Sequence, residues 1–315
     1  MEAKYLDLLD EETIAFVRHT EEFYPSDAAT ASIQKQRQYY DALCKEFHVE
    51  YPDGVTSSDQ FLSIGDHSIP VRDYHFTNTV PQANIMFYHG GGFVVGGLES
   101  HDSICGELCG RTGCSLTAVD YRMATEHLHP AAFEDALLAF KRMAAEKNLP
   151  TILVGDSAGG NLAAAVSHTM RREIHAPVGQ VLIYPGLGGD VSRGSYLEHA
   201  NAPMLTLADI EYYHEMRTGG SGLPRDVTAM PLTDEDFTDL PPTVLITAEC
   251  DPLADDGKEY CDRMLKAGGK AVWINETGLV HGYLRARSSC KRAAESVSRI
   301  VEAIEMLANR RWEYP

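Results

Sequence analysis

A serine at position 157 stands in the stretch GDSAG, which spans residues 155–159 and follows the apolar run 151–154. The residues after it repeat apolar side chains at helical spacing. A strand, a sharp turn and a helix around G-x-S-x-G expose a serine hydroxyl at the turn. The glycines let strand and helix pack closely, and the amides at the helix start face developing negative charge. The pattern predicts that Ser157 is a nucleophile for acyl transfer and that the amide of Ala158 stabilises the resulting oxyanion.

Two residues that could activate this serine come later, each after a predicted strand. Asp251 follows the apolar run 243–248, and His281 follows the run 271–275. Serine needs a base within hydrogen-bond reach, and the base needs a carboxylate that fixes its tautomer. The chain order serine, aspartate, histidine is that of a catalytic triad on an open α/β sheet. We therefore expect Asp251 to orient His281, and His281 to act as the general base.

Other acidic and basic residues compete for these roles. Asp255 and Asp256 stand just before the next predicted helix, where capping and helix-dipole interactions explain them, and Glu249 is a third rival acid. His89 precedes the serine in a glycine-rich stretch, so ordering of that loop is its expected role. Six more histidines lie in helical or peripheral segments and are expected at the surface or in packing: His127, His129, His168, His175, His199 and His214.

Three consecutive glycines, 90–92, follow the apolar run 84–88 and His89. Ester cleavage places negative charge on the former carbonyl oxygen, and backbone amides stabilise it best where no side chain keeps them away. The expected oxyanion donors are the amides of Gly90, Gly91 and Ala158. A phosphate-binding loop is the alternative, but no Lys-Ser or Lys-Thr pair follows and the spacing is not G-x-G-x-x-G.

Eight short apolar or alternating runs must supply the strands that position these residues. Segments of helical periodicity separate the later runs, which predicts a mostly parallel sheet flanked by helices. The first two runs, joined around Gly65 and Asp66, predict an antiparallel hairpin at the sheet edge. The runs lie at 60–64, 69–76, 84–88, 115–120, 151–154, 180–184, 243–248 and 271–275.

Two further helical segments, 33–47 and 207–216, do not fit this alternation. The second is inserted after the strand that ends near residue 184, on the side where open α/β sheets bind ligands. We expect a single domain over residues 1–315 with a helical cap above the site. The predicted cap comprises about 1–50 and 188–225, and the predicted catalytic core comprises about 55–187 and 226–315.

The composition excludes several classes of binding partner. A net charge of −19 opposes binding to nucleic acid and to anionic membrane surfaces. No apolar run approaches the roughly 20 residues of a membrane-spanning helix, and the start of the chain lacks a signal-peptide pattern, so a cytoplasmic location is expected. The seven cysteines include no Cys-x-x-Cys pair, which favours reduced thiols and no metal site.

Together these motifs resemble the hormone-sensitive-lipase-like (family IV) esterases of the α/β-hydrolase superfamily. The resemblance rests on HGGG at 89–92, GDSAGG at 155–160, DPL at 251–253 and HGY at 281–283, and it covers about residues 59–308. Met123 and Thr125 depart from the residues frequent in this family. The resemblance implies an α/β-hydrolase fold and a serine carboxylesterase that needs no cofactor and no metal.

The implied substrate is a small-molecule ester, with acyl chains of short to medium length if the cap encloses a pocket of limited depth. Two alternatives stay open. The same triad serves amidases and deacetylases, and gibberellin receptors use this scaffold for binding alone. A homodimer is compatible with the sequence.

Overall fold

An eight-stranded sheet forms the centre of the computed structural model, which describes residues 1–25, 27–64, 67–77 and 79–315. All eight predicted strands are present, several of them longer than predicted. The strands are β1 (Val55–Ile64), β2 (His67–Phe76), β3 (Asn84–Tyr88), β4 (Ser115–Val119), β5 (Thr151–Asp156), β6 (Gly179–Ile183), β7 (Thr243–Cys250) and β8 (Ala271–Val280).

The strand order across the sheet is β1-β2-β4-β3-β5-β6-β7-β8. β1 pairs antiparallel with β2, and β2 pairs antiparallel with β4, whereas every later pairing is parallel. The predicted hairpin edge and the mostly parallel sheet are therefore confirmed. The turn predicted at Gly65 and Asp66 lies outside the described residues.

Ten α-helices lie in the described ranges. Their bounds are α1 (Ala3–Leu8), α2 (Glu11–Glu21), α3 (Ile33–Glu46), α4 (Leu98–Thr112), α5 (Ala131–Lys147), α6 (Ala158–Met170), α7 (Ser195–Glu198), α8 (Leu207–Thr218), α9 (Ala254–Lys266) and α10 (Lys291–Ala308). Helix ends use local capping: Asp10 accepts the amide of Thr13 at α2, and Thr206 exchanges hydrogen bonds with Asp209 at α8.

Helices cover both faces of the sheet. α4 and α10 pack on one face, and α5, α6 and α9 pack on the other. The central strands β3 to β6 are buried along their whole length, as expected for parallel strands sandwiched between helix layers. This double cover fixes the carboxyl ends of β5, β7 and β8, from which the predicted catalytic residues project.

Helices α3 and α8 come from distant parts of the chain and pack on the loop that follows β3. Tyr213 of α8 lies against Gly92, and the Tyr212 hydroxyl accepts a hydrogen bond from Gln36 of α3 at 2.9 Å. Arg37 of α3 donates to the carbonyl of Val94 at 2.8 Å. The two helices that did not fit the strand–helix alternation therefore meet over one loop.

Candidate active site

Ser157 lies at the sharp turn between β5 and α6. Its φ is +53°, in the left-handed region that residues other than glycine rarely occupy, so the backbone is strained there. Its side chain makes no capping bond to the first turn of α6, and its amide donates to Ile183 in β6 at 2.9 Å. The strand, strained turn and helix predicted for the nucleophile are present.

The glycines beside the serine permit this turn by their lack of bulk. A Cβ atom at Gly155 would overlap the carbonyl of Gly159, and one at Gly159 would overlap the carbonyl of Tyr88 in β3. Helix α6 thus starts in direct contact with the backbone of β3 and β5. The close approach fixes the start of α6 directly after the serine.

The pairing of β7 with β8 places the acid and the base side by side. Cys250 pairs with Val280, so the next residues, Asp251 and His281, leave adjacent strands at the same level. The sequence predicted that β8 ends at residue 275, and its extension to Val280 puts His281 directly at the strand end.

Ser157, His281 and Asp251 form one chain of hydrogen bonds. His281 Nε2 lies 2.9 Å from Ser157 Oγ, and His281 Nδ1 lies 2.7 Å from Asp251 Oδ2. Asp251 is fully buried, and its other oxygen accepts the amide of Leu253 at 2.9 Å. The Tyr184 ring packs against the imidazole with centroids 4.7 Å apart. The arrangement can move a proton from the hydroxyl to the ring while the carboxylate holds the ring in place.

The structure corrects one predicted oxyanion donor. The amide of Gly90 donates to Asp156 Oδ1 at 2.8 Å, so it is not free to face a substrate oxygen. The amides of Gly91 and Gly92 meet no acceptor in the described part of the chain. The amide of Ala158 opens α6, where the first turn has no intrahelical acceptor. The amides of Gly91 and Ala158 are thus free to donate to an oxyanion, as predicted. The amide of Gly90 instead holds the loop in place.

Asp156 was not among the predicted site residues, and it organises the loop side of the site. It is buried, and it lies 3.1 Å from Nε2 of the buried His101. Burial alone would raise the pKa of Asp156, but the charges of His101 and Arg285 and the Gly90 amide outweigh burial and lower the pKa to about 2. The position of Asp156 inside GDSAG was the available signal, whereas nothing in the sequence connected it to His101.

His89 does not contact the triad. Its Nδ1 lies 2.8 Å from the Gly90 carbonyl, its ring stacks on Tyr121 at 4.3 Å, and its own carbonyl accepts the Tyr121 hydroxyl at 2.6 Å. Burial and the nearby charge of His101 lower its pKa to about 4. The ring is therefore neutral near pH 7 and orders the loop, as predicted.

The rival acids bind backbone amides instead of His281. Glu249 accepts from Gly278 at 2.7 Å, and Asp255 accepts from Ser195 at 2.9 Å. Asp256 accepts from Leu187 at 2.6 Å. The predicted capping role of Asp255 and Asp256 is wrong, because both lie within the first turn of α9 and hold the segment after β6. The helix-dipole interpretation is compatible with that position.

The six remaining histidines named above make no hydrogen bond to the triad. His127 and His175 are exposed, and His214 is half-buried in α8. The buried His168 bonds Asp234 at 2.7 Å and Tyr260 at 3.0 Å. The other two bond residues away from the triad: His129 bonds Arg217 and Thr228, and His199 bonds Tyr5.

A groove of about 1380 Å³ lies apart from these residues, with Tyr196, Arg225 and Arg263 in its wall. Neither Ser157 nor His281 borders it. Its walls carry charges of both signs but no serine or cysteine, so we place the chemistry at the triad. In the described ranges, no three His, Cys, Asp or Glu side chains are grouped to hold a metal ion.

No helix among the described residues has the length and apolar character to cross a membrane. All seven cysteines are buried and unpaired, as the sequence predicted.

Comparison with known proteins gives a consistent picture. Residues 85–285 match a family model described as alpha/beta hydrolase fold. The ethyl acetate hydrolase of Pseudomonas putida is 32% identical over 79% of this chain and 82% of its own length. Carboxylesterase NlhH of Mycobacterium tuberculosis is 34% identical over 75% of this chain and 78% of its own.

Among solved structures, a hyperthermophilic esterase from Pyrobaculum calidifontis superimposes with a TM-score of 0.86 at 29% identity, over 95% of this chain and 99% of that one. The family match spans most of the sheet and all three residues of the hydrogen-bonded chain. This chain belongs to the α/β-hydrolase superfamily, in its hormone-sensitive-lipase-like (family IV) branch of carboxylic ester hydrolases.

Proposed function

We propose that this chain is a serine carboxylesterase that works through an acyl-enzyme on Ser157. The observation that carries the proposal is the continuous hydrogen-bond chain from Ser157 Oγ through His281 to the buried Asp251. A buried carboxylate that fixes one ring nitrogen leaves the other to accept the serine proton.

Two half-reactions follow from this geometry. In the first, His281 Nε2 takes the Ser157 proton while Oγ bonds to the ester carbonyl carbon. The bond to the alcohol then breaks, and His281 returns the proton to the leaving oxygen. In the second, His281 takes a proton from water, whose oxygen attacks the acyl carbon. Ser157 leaves with that proton, and the carboxylic acid is released.

The oxyanion of each tetrahedral intermediate lies between two backbone segments in this proposal. Gly91 supplies one amide from the loop after β3, and Ala158 supplies another from the first turn of α6. Such preorganised donors stabilise negative charge without rearranging during the reaction. The Gly90–Asp156 bond supports the proposal, because it fixes the residue just before Gly91.

The cap sets the size of the substrate. We assign about residues 1–50 and 188–225 to the cap, and about 55–187 and 226–315 to the catalytic core. The support is that α3 and α8 meet over the loop carrying Gly91 and Gly92. A pocket closed by packed helices has finite depth, so acyl chains of short to medium length are the expected substrates. A cytoplasmic location and a homodimer stay predictions, for cell fractionation and sedimentation to test.

The direct test is active-site labelling. A fluorophosphonate probe should modify wild-type protein on the peptide that contains Ser157, and the other serines serve as internal controls. Ser157→Ala should lose both labelling and p-nitrophenyl acetate hydrolysis while it keeps its circular dichroism spectrum. Triad members act as a unit, so the loss in kcat should approach ~10⁶. Labelling of another serine, or near-normal turnover by a folded Ser157→Ala protein, would exclude the proposed nucleophile.

A further inference from the structure

Arg285 is a buried cation close to the catalytic base that lacks a paired carboxylate. It lies four residues after His281, in the 3-10 helix Tyr283–Ser288, and is 7% exposed. Its Nη2 donates to the Tyr40 hydroxyl of α3, and its guanidinium lies 4.9 Å from the Tyr40 ring centroid. No acidic side chain of the described residues comes within ion-pair distance of it. Arginine is rarely buried without an anionic partner, so we expect an anion from outside the chain to bind here.

The free part of the guanidinium lies near Gly282, the residue that follows the base in the chain. A Cβ atom placed on Gly282, the residue after His281, would lie 3.5 Å from Arg285 Nη1 and 3.9 Å from the methyl group of Met204. Nε is buried without an acceptor. In the part of the chain that the structure describes, Nη2 is the guanidinium nitrogen that donates a hydrogen bond, and Nη1 donates none. Arg285 therefore has N–H donors without acceptors, and its Nη1 lies close to the residue that follows His281.

A neighbouring arginine shows how the fold satisfies such a group elsewhere. Arg287 is almost equally buried, at 8% exposure, and donates to Glu107 at 2.6 Å and Ser103 at 2.9 Å. Asp156, an acid whose charge acts on Arg285, already bonds the Gly90 amide and lies against His101. Asp156 therefore acts on the Arg285 charge only from a distance, and no carboxylate in the described residues forms an ion pair with Arg285.

The chemistry of the missing partner follows from the guanidinium. Its planar fork matches a carboxylate, and charge-assisted hydrogen bonds are the strong ones. The chain carries a net charge of −19, yet this field is screened beyond a Debye length of about 8 Å, so a local cation determines what binds beside it.

We propose that Arg285 binds a carboxylate of the substrate, so that the preferred ester carries an anionic group a few bonds from the scissile carbonyl. This inference rests on the proposed esterase activity. The carboxylate can belong to the acyl part or to the alcohol part, and matched substrates separate the two. The competing role for Arg285 is purely structural, as a tether that holds Tyr40 and α3 on the core.

The experiment compares charged and neutral esters of equal size. For the acyl side, the pair is the p-nitrophenyl monoester of glutaric acid and p-nitrophenyl valerate. For the alcohol side, the pair is the butyrate ester of 4-hydroxybutanoate and butyl butyrate, and hydrolysis is followed by pH-stat. The readout is the ratio of kcat/KM for the anionic ester to that for the neutral ester.

Three variants distinguish binding from tethering. Arg285→Met should lower the ratio about 10- to 100-fold on one side, since a hydrogen bond to a charged group is lost there. Tyr40→Phe removes the tether bond but keeps the cation, and it should leave the ratio near the wild-type value. Arg287→Met is the matched control for loss of a buried arginine, and it should also leave the ratio unchanged.

Inhibition of the wild-type protein is a second test, and it does not depend on whether a variant folds. Glutarate should compete with p-nitrophenyl valerate at least about tenfold better than glutaramide. Equal inhibition, an unchanged ratio in Arg285→Met, or the same loss in Tyr40→Phe would each overturn the inference and leave the esterase proposal intact. A wild-type protein that hydrolyses none of the four esters would overturn the proposed function, and this inference with it.

Discussion

Replacing Asp256 with asparagine should make the free energy of unfolding less dependent on pH. The carboxyl group is buried in the first turn of α9. Oδ2 accepts the amides of Leu187 and Gly188 and the Tyr196 hydroxyl at 2.6, 3.1 and 3.1 Å, whereas Oδ1 has no partner among the described residues. Burial raises the pKa of Asp256 from 3.8 to about 7, although these hydrogen bonds oppose the rise.

The direction and size of the effect follow from this pKa. Below pH 3.8 the folded and unfolded states both hold the proton, and the carboxyl group costs nothing. As pH rises toward 7, only the unfolded state ionises, so folding stability falls by roughly 1.4 kcal/mol per pH unit. Above pH 7 both states are ionised, and the accumulated cost of about 4 kcal/mol stays constant. Between pH 5.5 and 8, wild-type protein should lose about 2 kcal/mol that Asp256→Asn does not lose.

The assay is urea unfolding followed by the fluorescence of the two tryptophans, at several pH values from 5.5 to 8.5. Wild type, Asp256→Asn and Tyr196→Phe are compared. Removing the Tyr196 donor should move the pH-dependent loss to higher pH, because its hydrogen bond favours the ionised carboxylate. Asp7→Asn, at an exposed acid, reports the effect of deleting one surface charge.

The readout that tests this prediction is the difference in unfolding free energy between wild type and Asp256→Asn. A difference that stays constant over this pH range would mean that the backbone amides keep Asp256 ionised throughout. A difference that grows in favour of wild type as pH rises would reverse the sign and refute the reasoning.

Three further predictions concern catalysis. Asp251→Asn should lower kcat by about 10⁴, since it disturbs the imidazole tautomer, and Asp255→Asn should have a far smaller effect. Steady-state kinetics that show the opposite ranking would assign the role of the acid to Asp255. Gly91→Val should lower kcat about 10²-fold or more, because its φ of +125° and the nearby Val95 carbonyl exclude a side chain; unchanged kcat in a folded variant would remove Gly91 as a donor. Across p-nitrophenyl esters, kcat/KM should peak at roughly two to eight acyl carbons; a maximum at long chains with activation on emulsions would contradict the proposed closed cap.

The reaction centre could be predicted because each chemical group follows a strand end. Ser157, Asp251 and His281 stand after β5, β7 and β8, and parallel strands bring their carboxyl ends to one edge of the sheet. Local sequence thus determined the position of all three residues.

Other features depended on contacts that no local pattern encodes. Helix α4 was not predicted, because its inward face carries the polar residues His101, Asp102 and Ser103, which interrupt the apolar spacing. The bond from Gly90 to Asp156 joins residues 66 positions apart, so the sequence could not show that one glycine amide was already occupied. The same limit applies to Arg285, whose solvation depends on which acids the fold brings near it.

The contact between Gly92 and the Tyr213 ring has a consequence for exchanging caps between related enzymes. A Cβ atom at position 92 would overlap that ring, so the loop beside the nucleophile is shaped by a residue from a segment more than a hundred positions later. The cap is therefore not an independent module that can be replaced without regard to the chemistry beneath it. A transplanted cap that lacks a flat side chain at this place would leave a void against the backbone next to Gly91, and it would alter the rate of the reaction along with the choice of substrate.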